Sequence, residues 1–123
     1  MARIPIIKVG SALIATVDED LTDDDALEFQ ERLNAAIERT GAAGVLIDVT
    51  LVETIDSFLG RLLHEIAAGA RLLGATTVVA GIQPPVAMTL VELGLQLDGV
   101  KTALTAERGL AMLAAPSRAN RAR

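Results

Sequence analysis

The stretch that decides the fold is Val45-Leu46-Ile47-Asp48-Val49-Thr50, followed after a short loop by Asp56-Ser57-Phe58-Leu59. The first six residues are mostly apolar and β-branched, the composition of a strand buried on both faces. The second part reads as a helix start. Asp56 has the side chain to accept from the free N–H groups of a first helical turn, which places Ser57 in that turn. Leu59, Leu62, Leu63, Ile66, Ala70 and Leu73 follow at helical spacing. One hydroxyl is thus expected at the N-terminus of a long amphipathic helix, just past the carboxyl end of a core strand. Open α/β sheets gather their functional residues at that edge.

Outward from this unit the chain alternates. Ile4 to Val9 and Ala12 to Val17 read as a hairpin turning at Gly10-Ser11. Thr22 and Asp25 form a capping-box pattern, with Asp23 and Asp24 in the same first turn, where the helix dipole favours anions. The helix they open runs to about Arg39, with Ala26, Phe29, Leu33, Ala36 and Ile37 on one face, and Gly41 stops it. The Ser57 helix ends at Gly74, and Ala75 to Gly81 is a second buried strand. Pro84-Pro85 start a third helix, with Leu90, Val91 and Leu93 expected to face inward. Val100 to Leu104 reads as an edge strand, and Thr105 caps a last helix reaching about Ala114. The order β-β-α-β-α-β-α-β-α predicts an α/β fold, a mixed, mostly parallel sheet with flanking helices and an N-terminal hairpin. Residues 1 to 115 form one domain in this reading; 116 to 123 are expected to be a disordered basic tail.

Composition excludes several functions. The chain has 123 residues, 51% apolar, with Phe29 and Phe58 its only aromatics, so the core is aliphatic. It has no Cys, which removes disulfides and thiolate metal sites, and the single His64 cannot build a multi-histidine site. Of the 11 Lys and Arg, three (Arg118, Arg121, Arg123) lie after Pro116; the 8 that remain stand against 16 Asp and Glu, a body of −8. That disfavours nucleic acid as a partner. No signal peptide or membrane-length apolar run is visible, so a cytoplasmic protein is expected.

Catalytic patterns are weak. Ser57 and His64 are seven residues apart on one helix, about 10.5 Å along its axis, beyond hydrogen-bond reach. His64-Glu65 lacks the second His of a zinc-protease helix, and no phosphate-binding glycine loop precedes a helix. The acidic run at 18 to 25 lacks the Gly and Glu of a calcium loop. His64 reads as a solvent-facing residue. Asp48 either supports a site at the strand edge or caps the loop. Phe58 lies about 100° from the centre of the apolar stripe, which suits partial burial; contact with a partner is the alternative. Neither an enzyme nor a cofactor is indicated.

The strand ending in Asp48-Val49-Thr50 and the Ile55-Asp56-Ser57 segment resemble the phosphorylatable region of STAS domains, the sulfate-transporter and anti-sigma-factor-antagonist family. Ile4-Pro5-Ile6, Ala26 to Glu31, Thr40-Gly41-Ala42, Gly81-Ile82-Gln83-Pro84 and Val91 to Gly94 extend the resemblance over roughly residues 3 to 114. Phe58 and Leu59 replace the Ser and Gly common in simple antagonists, which favours the RsbS-like branch of stressosome scaffolds. The resemblance implies a non-enzymatic regulator that assembles with RsbR-like co-antagonists and holds an RsbT-like serine kinase. It implies Ser57 as phosphoacceptor, supported by Asp56, Phe58 and Asp48, and resetting by an RsbX-like phosphatase. The alternative is a simple antagonist or a ligand-binding STAS module, with a pocket between the Ser57 helix start and Gln83-Pro84.

Overall fold

The computed structural model describes residues 4–18, 21–94 and 99–114. Nine elements follow the expected order: β1 (Ile6–Val9), β2 (Ala12–Thr16), α1 (Asp23–Thr40), β3 (Gly44–Asp48), α2 (Ser57–Leu72), β4 (Thr76–Ala80), α3 (Pro84–Glu92), β5 (Val100–Ala103) and α4 (Ala106–Ala114). The expected tail at 116 to 123 lies outside the described residues.

The strands make one sheet in the order β1-β2-β3-β4-β5. β1 and β2 are antiparallel, with Ile7 opposite Ile14, and the other three pairs are parallel. Each crossover advances one strand in the same direction, so connections of the usual right hand put α1, α2 and α3 on one face. The apolar clusters agree. Phe29, Leu33 and Ile37 of α1, Leu63 and Ile66 of α2, and Val86 and Leu90 of α3 share a core with Val45, Ile47 and Val79. On the opposite face Leu46, Val78 and Ala80 meet Ala106, Leu110 and Leu113 of α4. β3 therefore contributes to both cores, and Val45, Leu46 and Ile47 have no exposed surface. Gly109 lets α4 lie close to the sheet: a Cβ there would stand 2.5 Å from Leu46 Cδ1.

Several expected boundaries move, each for a local reason. β1 begins at Ile6, because Pro5 has no N–H for a ladder; the Ile4 carbonyl instead accepts from Arg32 Nη1 at 2.7 Å. β3 ends at Asp48, two residues before the expected Thr50, where the chain turns. α2 ends at Leu72, and Leu73, expected on the apolar face, is the C-cap residue and 44% exposed. β4 stops before Gly81, whose φ of 78° lies outside strand geometry. β5 stops before the exposed Leu104.

The largest correction concerns α3. Val91 and Leu93 were expected to face inward, but Val91 is 79% and Leu93 43% exposed; only Leu90 of the three is buried, joined by Val86. A nine-residue helix lays one narrow stripe on the sheet, here the i, i+4 pair Val86 and Leu90. Val91 is about 100° around from Leu90, and Leu93 is already the C-cap residue.

Candidate functional site

Two helix starts and two loops meet at the carboxyl edge of the parallel strands. α1 opens with a complete capping box: Thr22 Oγ1 accepts from Asp25 N at 3.1 Å, and Asp25 Oδ2 accepts from Thr22 N at 3.3 Å. α2 opens with Asp56, whose Oδ1 accepts from Leu59 N at 2.9 Å. The helix ladder begins with Gly60 N donating to Asp56 O. Ser57 is the first residue of α2 and is exposed, so its hydroxyl stands where the sequence placed it. The Ser57 and Phe58 N–H groups precede the ladder, as the first donors of any helix do.

The loop carrying Ser57 is fixed from below. Asp48 Oδ1 accepts from Thr50 N at 2.9 Å and Thr50 Oγ1 at 2.6 Å. Of the two readings of Asp48, the geometry is that of a loop cap; it turns the chain out of β3. Thr50 O in turn accepts from Gln83 Nε2 at 2.6 Å, tying this loop to the one after β4. Gly81 makes the approach possible, since a Cβ there would sit 2.0 Å from Thr50 Oγ1. Thr50, Gly81 and Gln83 are the positioning residues that sequence reasoning did not assign. The sequence singled out Gly81 and Gln83 as part of the resembling stretch before the Pro-Pro helix start.

Phe58 is 38% exposed, partly buried as expected, and forms a ridge between two open grooves. The first, about 390 Å³, is lined by Asp18, Asp23, Asp56, Leu21, Ile55 and Leu59 among others. Small-molecule pockets are mostly apolar and enclosed; this open groove presents three carboxylates. The second runs between α1 and α2, lined by Leu27, Ser57, Phe58, Arg61, Leu62 and Glu65. Both grooves lie on the α1 side of Ser57. Toward Gln83, where a ligand pocket was expected, the amide is engaged by Thr50. His64 is exposed on α2 and remote from this edge, one turn beyond Gly60. Among the described residues no group of three or more His, Cys, Asp or Glu could hold a metal, and no helix is long and apolar enough to cross a membrane.

Comparison with known proteins adds relatives to this geometry. A serine-to-glutamate variant of RsbS from Moorella thermoacetica superposes with a TM-score of 0.81 and 40% identity, covering 91% of this chain and 95% of that one. A chain from a structure described as the molecular architecture of the stressosome, a signal integration and transduction hub, gives 0.79 and 41%, covering 89% and 95%. The RsbT co-antagonist protein RsbRA of Bacillus subtilis is 32% identical over 98 residues, which are 80% of this chain and 34% of that protein. The chain thus spans about a third of that curated relative. The STAS domain family model matches residues 3–108, and the chain belongs to the STAS domain family.

Proposed function

We propose that this protein is a phosphorylation-switched scaffold of the stressosome type. It assembles in the cytoplasm with RsbR-like STAS co-antagonists, holds an RsbT-like serine kinase, and releases it when Ser57 is phosphorylated. An RsbX-like phosphatase resets the site. The observation that carries this reading is the exposed Ser57 hydroxyl at the first position of α2, on an edge already rimmed by carboxylates. The relatives support the assembly: one is a stressosome component and another is named as a co-antagonist of RsbT.

The chemistry is a phosphoryl transfer. The γ-phosphoryl group of ATP passes to Ser57 Oγ, the serine proton is lost and ADP departs. The product carries about −1.5 to −2 charge at neutral pH. The helix N-terminus favours that anion, so the fold tolerates it. A docked partner does not share the benefit. Glu53, Asp56 and Asp23 already make the edge acidic, and the added charge repels acidic groups and raises the desolvation cost of apolar ones. In this reading Asp56 holds the helix start, Asp48 holds the loop, and Phe58 contributes apolar contact area.

The test is kinase transfer from ATP to the wild type and to Ser57→Ala, with kinase binding followed in parallel. Labelling should fall to background in the variant, which should keep the kinase bound. Equal labelling of both proteins removes Ser57 as the site. Undiminished kinase binding by fully phosphorylated wild type removes the release mechanism.

A further inference from the structure

Arg61 lies one helical turn after Ser57 and lines the same groove, where it is the only basic side chain among the described residues. It is exposed, and among the described residues its guanidinium has no hydrogen bond or ion pair. The acid one turn further along its own helix, Glu65, also lines the groove and leaves it unpaired. The order of charges explains why. Side chains of a helix lean toward its N-terminus, so a base reaches back to an acid four residues earlier better than forward to one four residues later. Glu65 is on the unfavourable side of Arg61. Ser57 is on the favourable side, with Cβ atoms about 5–6 Å apart for that spacing.

We infer that Arg61 is the built-in counter-ion of phosphorylated Ser57: it swings back along α2 onto the phosphate and holds it in the groove between Leu27 and Phe58. The inference rests on reading Ser57 as the phosphoacceptor. A guanidinium offers two parallel N–H donors to a phosphate, a stronger pairing than a carboxylate at the same spacing provides. Before phosphorylation the groove displays a free cation flanked by two apolar side chains. Afterwards it displays a neutralising pair, and a partner carboxylate that had used Arg61 has lost it. Release then has an attractive contact withdrawn as well as a repulsive charge added.

The measurement is the second ionisation of the phosphate, followed by phosphorus NMR at low salt. The full chain is made with phosphoserine installed at position 57 by encoded incorporation, as the wild type, Arg61→Gln and Arg61→Lys. Gln is a good helix former, so the fold should hold, and circular dichroism of each protein checks it. A paired guanidinium stabilises the dianion, so the wild-type value should lie below that of Arg61→Gln by about 0.2–0.4 pH unit. Arg61→Lys should fall between them, having charge without the fork. Asp18, Asp23, Asp56 and Glu65, the other titratable groups facing the two grooves, are the same in all three proteins. Identical titrations for the wild type and Arg61→Gln overturn the pairing. Because the phosphate is installed without a kinase, that failure is separate from failure of Ser57 as a kinase substrate, which the transfer assay reads.

Discussion

α1 and α2 begin side by side at one edge of the sheet, and they are made differently. α1 is complete within itself: Thr22 and Asp25 satisfy each other's backbone, and Asp23, Asp24 and Asp25 supply the negative charge its dipole attracts. α2 has one cap, Asp56, and no acidic residue in its first turn; the place of charge is taken by Ser57, Phe58 and the glycine at 60. Its approach is fixed instead by Asp48, Thr50 and Gln83, which reach across two loops. The comparison separates a helix start made for stability from one that leaves room for a charge to arrive. An anion added to α1 would enter a first turn already holding three carboxylates; added to α2 it meets a first turn with none.

The difference can be broken at several points. The largest effect on stability is expected for Gly81→Ala. It forces an alanine into the left-handed region and drives its Cβ into Thr50. The strain alone costs about 1–2 kcal/mol, and the clash adds to it, so chemical denaturation should show a loss of about 2 kcal/mol or more. An unchanged midpoint would mean that the loop after β3 is not held by this approach. Thr22→Ala comes next, at about 1 kcal/mol for a lost cap, visible as a lower thermal midpoint. Phosphorylation of Ser57 should act in the opposite direction, raising stability by about 0.3–1 kcal/mol at low salt; a fall would show that α2 does not accept the charge. The smallest effect is expected for Asp24→Asn, a loss of about 0.3 kcal/mol that fades as salt screens the dipole.

How much of this was legible in sequence depended on whether a feature is local. The Thr22-Asp25 box and the Asp56-Ser57 start are each contained in four residues, and both stand where the pattern put them. α3 was misread because it is apolar nearly all round: periodicity cannot choose a buried stripe when Leu90, Val91 and Leu93 are equally apolar, and the sheet chose Val86 and Leu90. The Gln83–Thr50 tie joins residues 33 apart in sequence and has no local signature. The early end of β3 likewise comes from a carboxylate turning on its own loop, a competition that β-propensity does not register. Arg61 went unremarked in the sequence, because its meaning depends on its having no other partner among the described residues, which only the fold reveals.

The strand order has a consequence for how such a chain is made. Because β1 to β5 stand in the sheet as they stand in the sequence, no strand must be inserted between two that have already paired. β2 folds back on β1 directly, and each later strand adds to the growing edge after one intervening helix, so the molecule can be assembled in the direction in which a ribosome delivers it. The edge that waits longest in the open is that of β1. It is four residues long, preceded by Pro5 and carrying Lys8, features that discourage a stray strand from adding there.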